Sequence, residues 1–200
     1  MYSTKTATTN NSEFTSNYIP VGINENITLK EINVNKTPNG RDFLEIIFEN
    51  DQNQTVTMTE WKNEKNMWIK TDEDLQRRDD TQFGRILQII DCYYDQRPEF
   101  EGNNFIEMIN WVKSILDSVA ERNNKTLRLK VIYDNKGFTR VSQNGIFVEP
   151  MNVAESQIKL FKRDLLERPV VADKEPAADP LTMTSAPVTE TSTGADDLPF

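Results

Sequence analysis

The chain has 200 residues, a formal net charge of −9, one cysteine and no histidine. Without histidine, Ser-His and Cys-His catalysis and Cys/His zinc sites are excluded, and the single Cys92 excludes an intrachain disulfide, which fits a reducing compartment. The polar start has no signal-peptide core, and no stretch approaches the ~18 apolar residues of a membrane span, so the expectation is a cytoplasmic protein without membrane contact.

Residues 1–19, rich in Thr, Asn and Ser, read as a flexible lead. A first strand is predicted from Asn26 to Lys36. Ile27 and Leu29 alternate, the phase slips across Lys30-Glu31, and Ile32 and Val34 resume, which is the signature of a β-bulge. Thr37-Pro38-Asn39-Gly40 is a turn signal. The second strand, Asp42 to Glu49, places Leu44, Ile46 and Phe48 on one face. The third, Thr55 to Trp61, turns Val56 and Met58 inward and Thr57, Thr59 and Trp61 outward. Residues 62–79 are charged and mixed, anchored by Trp68 and Ile69. Helical spacing then predicts a helix from Thr81 to Tyr94 and a second from Asn104 to Arg122. Cys92, beside Ile89, Ile90 and Tyr93, reads as a buried helical thiol.

A fourth strand follows from Thr126 to Tyr133, with Leu127, Leu129, Val131 and Tyr133 on one face and Arg128 and Lys130 on the other. Asp134-Asn135-Lys136-Gly137 is a hairpin turn. The fifth strand starts at Phe138 and continues, after a break at Asn144-Gly145, through Ile146-Phe147-Val148 to Pro150. A short helix is expected from about Ala154 to Glu167. From Pro169 the chain is rich in Pro, Ala, Thr, Ser and Asp, with too few large apolar residues to offset the entropy of folding, so residues 169–200 read as a disordered acidic tail. Three strands, a helical insertion (about 80–123) and two strands is the order of a five-stranded Greek-key barrel, the OB-fold, over residues 20–168.

The tip Asp196-Asp197-Leu198-Pro199-Phe200 resembles the acidic, Pro-Phe-ending tip of bacterial single-stranded DNA-binding proteins. Val21-Gly22-Ile23-Asn24-Glu25-Asn26, Leu127–Tyr133 and Phe147-Val148-Glu149-Pro150-Met151 resemble parts of single-stranded DNA-binding proteins from tailed phages. The resemblance implies a non-catalytic protein that coats and protects single strands in bacteriophage DNA replication, recombination and repair, in the host-cell cytoplasm. It also implies that Asp196, Asp197, Leu198, Pro199 and Phe200 recruit replication partners and compete with DNA for the protein's own groove. The body does not match the bacterial family's first-strand pattern, so a tetramer is not implied and the oligomeric state stays open.

Sequence-independent binding of single strands needs bases for phosphates and aromatic faces for stacking. The outward candidates are Trp61 with Lys62 and Lys65; Lys36 and Arg41 at the first turn, with Phe43 beside them; Arg128 and Lys130 on the fourth strand; and Lys136, Phe138 and Arg140 around the last hairpin. The body sets a condition on this reading. Residues 20–168 hold 25 acids against 21 bases, so DNA can bind only where the bases gather on one face. Two other readings stay open. Asp51, Glu60 and Lys62 form the acid and Glu-x-Lys pattern of a Mg²⁺-dependent nuclease. A protein–protein adaptor that does not touch DNA would also suit a near-neutral body. The nucleic-acid reading calls for no cofactor, no metal and no catalytic residue.

Overall fold

The computed structural model describes residues 16–119 and 124–169. The chain divides into two units after Pro169. The second, which holds the expected tail and its Asp196–Phe200 tip, lies outside the described residues, as does most of the expected lead.

Six strands and two helices follow in the order β1 (Gly22–Lys36), β2 (Asp42–Glu49), β3 (Thr55–Trp61), α1 (Asp72–Asp91), α2 (Phe105–Ser118), β4 (Leu127–Tyr133), β5 (Thr139–Val141) and β6 (Val148–Pro150). The sheet order is β3-β2-β1-β4-β5, antiparallel throughout, with β6 also on β4. The two edges, β3 and β5, approach each other, so the sheet curls into a nearly closed five-strand barrel.

One long strand makes this possible. The second half of β1 pairs with β2 and its first half with β4. The β2 ladder shifts register between Leu29 and Glu31, the phase slip visible in the sequence. The β4 ladder shifts between Asn24 and Ile27, where Asn26 adopts a φ of 57° that Asn tolerates better than most residues. With these two irregularities β1 bends enough to serve both halves of the barrel. Its start at Gly22 is four residues earlier than expected. The predicted fifth strand is two short ones, β5 and β6, on the same edge of β4; Asn144-Gly145 lies in the gap between them.

The interior is apolar. Ile27, Leu29 and Ile32 of β1, Leu44, Ile46 and Phe48 of β2, and Leu127, Leu129 and Val131 of β4 are buried with Ile86, Ile89 and Ile90 of α1 and Met108, Ile109, Val112 and Leu116 of α2. Helix α1 begins nine residues before the expected start. Thr71 caps it by accepting from the Asp74 N–H, and Asp72, Glu73 and Asp74 oppose the dipole of its first turn. That first half has no apolar stripe, so periodicity alone missed it. Cys92 at its C-cap is buried. Burial first, and then Asp91 and Glu149, push its thiol up to about 12 against the pull of Lys125, which leaves it protonated.

The helix expected over 154–167 is absent; the segment is irregular. Its polar groups are satisfied by side chains and by the β4 backbone and not by helical bonding. Lys130 is fully buried, donating from Nζ to Asn144 O (2.7 Å), Lys159 O (2.8 Å) and Asp164 Oδ2 (3.3 Å). Asp164 in turn accepts from Asn144 Nδ2 (2.6 Å) and the Phe161 N–H (2.8 Å). Glu149 accepts from the Gln157 N–H, and the Tyr133 N–H donates to Leu165 O. The segment is thereby strapped along β4.

This strap has a stability signature. Burial alone would raise the Asp164 carboxyl, but its hydrogen bonds from Asn144, Phe161 and Lys130 outweigh burial and hold it below the usual range. Its contribution is therefore complete above the unfolded carboxyl value of about 3.9 and is lost as pH falls through the depressed folded value. Urea melts of the wild type should weaken below about pH 4, and Asp164→Asn should flatten that loss. Lys130→Met, which leaves Asp164 buried without its cation, should cost about 3–5 kcal/mol. A Lys130→Met protein as stable as wild type would show that the strap is not held this way.

Candidate nucleic-acid interface

The outer face of the β1-β2-β3 half barrel carries the residues that alternate with the core. Cross-strand pairing sets them in rows. Asn35, Phe43 and Trp61 form one row, Asn33, Glu45 and Thr59 the next, and Glu31, Ile47 and Thr57 the third. Phe43 and Trp61 are stacked, with ring centroids 4.5 Å apart and planes at 27°. The Arg41 guanidinium lies 5.2 Å from the Trp61 ring centroid and donates to Lys62 O at 3.1 Å. The register that pairs Phe43 with Trp61 also brings the β1–β2 turn, with Arg41, onto the end of β3. Trp61 remains 37 % exposed, enough to offer a ring edge and part of a face to a ligand.

A second group stands at the β4–β5 turn. Asp134 shapes this turn. Its carboxylate accepts from the Lys136 and Phe138 N–H groups, which hold it below its usual range, and its carbonyl accepts from Gly137, whose φ is 82°. Phe138 is 61 % exposed. Beside it a cavity of about 310 Å³ is lined by Tyr133, Lys136, Arg140, Asn144 and Arg163. Arg168 packs against Gly137, where a Cβ would meet its Nε at 3.0 Å. Among the described residues none of Lys136, Arg140, Arg163 and Arg168 makes an ion pair within 4.0 Å, although Arg140 and Lys136 both act on the Asp134 carboxylate.

The topology sets the two groups toward opposite ends of β3. Thr55 starts that strand, donating to Asn17 O and accepting from the Ile19 N–H. From Ile19 the chain runs to Gly22, which pairs with Val131, two residues before β4 ends. The β4–β5 turn therefore lies toward the Thr55 end and the Trp61 stack at the other. Six residues at roughly 3.3 Å each put about 20 Å between the ends. Only Thr57 and Thr59 project outward in between. The acids of this face, Glu31, Glu45 and Glu49, stand on β1 and β2.

The other sequence candidates are placed differently. Lys36 pairs with Asp42 at 3.3 Å and Lys65 with Asp72 at 2.7 Å, both on the surface. Lys62 is exposed next to Trp61. Arg128 and Lys130 correct the expectation that their face of β4 is open to phosphates. Arg128 lies between Glu25 and Glu149, its charge matched by both. Lys130 is sealed under the 154–169 strap. The sequence reading missed Arg163 and Arg168, which that strap delivers to the β4–β5 turn. Their signal was present in Lys159-Leu160-Phe161-Lys162-Arg163, where bases interleave with an aromatic residue.

The nuclease pattern does not converge. Glu60 is buried, receiving two hydrogen bonds from Arg85 (2.9 and 2.8 Å) and one from Gln82 (2.8 Å), the contacts that dock α1 on β3. Asp51 lies in the β2–β3 turn, at the opposite end of that hairpin from Glu60. Among the described residues no cluster of three metal-ligating side chains occurs, and no helix is long and apolar enough to cross a membrane. No protein-family model matches the chain, and no curated protein matches it.

The ion pairs sort the bases into two classes that a salt titration with oligo-dT separates. Arg140→Ala and Arg163→Ala should each flatten the slope of log affinity against log salt by about 1. Arg128→Ala should leave that slope unchanged and lower the melting temperature instead. A flattened slope for Arg128→Ala would return it to the interface.

Proposed function

We propose that this chain is a non-catalytic single-stranded DNA-binding protein whose barrel is an OB-fold, and that the strand runs along β3 between the two basic and aromatic groups. The observation that carries the reading is the exposed Phe43–Trp61 stack with Arg41 against it. Paired rings on a sheet face beside unneutralised bases suit unstacked nucleotides, since each base has a π-face and each phosphate a charge. The nearly closed five-strand barrel and its bulged first strand support this reading, since an OB-fold binds oligonucleotides across its face and its β1–β2 and β4–β5 loops. Glu31 and Glu45 repel phosphates from the β1-β2 face, so the backbone follows the threonine-lined edge. The site reads no base edges, and the expected binding is tolerant of sequence.

In this reading the protein coats and protects single strands during phage DNA replication, recombination and repair. The acidic tip Asp196–Phe200 recruits replication partners and competes with DNA while the groove is empty. A second reading has one specific observation in its favour. A cleft of about 760 Å³ between α1 and the start of α2 combines Phe83, Phe100 and Phe105 with Asp79, Asp80 and Glu101. That surface suits a protein partner more than a polyanion, as an adaptor would require. Measuring the oligo-dT affinity of residues 1–168 separates the two, because an adaptor body has none.

Trp61→Ala should weaken oligo-dT binding by roughly 1–3 kcal/mol at constant fold. Unchanged affinity removes the stack from the site. Deleting residues 169–200 should tighten DNA binding, most at low salt, where the tethered acids compete best. Removing Phe200 alone should leave DNA affinity nearly intact and abolish capture of a replication partner. Weaker DNA binding by the truncated protein would contradict the competing-tail reading.

A further inference from the structure

We infer that Trp68, with Met67 beside it, is a second stacking platform that extends the single-strand track past Trp61; this rests on the nucleic-acid reading above. Trp68 is 82 % exposed and Met67 75 %, more than any other large apolar residue described. Their exposure is imposed by an ordered loop. Asn66 Oδ1 accepts from the N–H groups of Trp68 (2.8 Å) and Ile69 (3.1 Å), and the Asn66 N–H donates to Ile69 O at 3.0 Å. Ile69 is buried, which pins the loop to the body just after its apex. The flank that leads into the loop is tied to α1. Asn63 Nδ2 donates to Asp79 and Gln82, and Lys65 pairs with Asp72. The backbone around Trp68 is thus held by a side-chain turn, a buried anchor and two tethers, while the indole itself is left in water.

The chemistry of the loop names the occupant. Between Trp61 and Lys70 the segment carries Lys62 and Lys70 against the single acid Glu64, with Lys65 already held by Asp72. Bases interleaved with tryptophans suit a strand of nucleotides. The loop starts at Trp61, so Trp68 is at most about 25 Å away even along a fully extended chain, within the reach of a few nucleotides leaving the Phe43–Trp61 stack. The pre-set loop also limits the ordering entropy lost when a base stacks on the ring.

The remaining tryptophan makes the test clean. Trp111 is half-buried, stacked on Phe100 at 4.7 Å, so in a Trp61→Phe protein the most solvent-exposed emission comes from Trp68. Oligo-dT should quench that emission and shield it from acrylamide. In the wild-type background, Trp68→Ala should weaken binding to long oligo-dT by about 5- to 150-fold, the equivalent of one stacked base. It should also shorten the length of DNA occluded per protein, leave short oligonucleotides unaffected, and be largely rescued by Trp68→Phe. A Trp68→Ala protein that binds every length like wild type, while Trp61→Ala weakens binding, overturns the role of Trp68 alone. A wild-type protein that does not bind oligo-dT at all overturns the nucleic-acid reading and this inference with it.

Discussion

The buried pair Lys130–Asp164 is the interaction on which the arrangement of this surface depends. An ammonium taken out of water is costly unless it is paired and all its protons are used. Lys130 meets that condition with two backbone carbonyls and one carboxylate, all supplied by the chain that follows β5. Asp164 meets it with bonds from Asn144 and Phe161 besides Lys130. Neither group can be satisfied unless residues 154–169 lie across β4. The same pair therefore fixes where Arg163 and Arg168 stand, a few residues from the β4–β5 turn.

The near-neutral body is compatible with the proposed polyanion ligand because of the way its charges are spent. Acids and bases cancel in pairs over much of the surface. Arg85 is used by Glu60 to dock α1, Arg128 by Glu25 and Glu149, Lys30 by Glu49, and Lys65 by Asp72. Among the described bases that form no ion pair are Arg41 and Lys62 at the Trp61 end of β3, and Lys136, Arg140, Arg163 and Arg168 around the β4–β5 turn. Net charge of the whole domain says little about such a surface, because screening confines each charge to about 8 Å at physiological salt.

Much of the barrel was legible because its strands obey a period of two. The boundaries of β2 and β3, the bulge near Lys30 and the hairpin at Asp134–Gly137 all follow from local pattern and turn chemistry. So does the pairing of Phe43 with Trp61, once both are outward on adjacent strands. Four features were not legible. The first half of α1 is polar on every side, so its N-cap and acidic first turn were its only marks. Lys130 reads as an outward strand residue by alternation, and only a crossing segment distant in sequence makes that face interior. The 154–167 stretch has helical spacing, but its N–H groups and carbonyls are drawn to barrel side chains. Trp68 looked like an anchor of its loop by residue type; Ile69 fills that place and turns Trp68 outward.

The central claim, that a single strand lies along β3 between the two groups, is tested most directly by backbone amide and indole shift mapping of the full chain with oligo-dT. The account predicts perturbations at Arg41, Phe43, Trp61, Trp68, Lys136, Phe138, Arg140 and Arg163, and none around Arg128 or at Glu31 and Glu45. Shifts gathered instead around Asp79, Phe100 and Phe105, or no shifts at all, would contradict it.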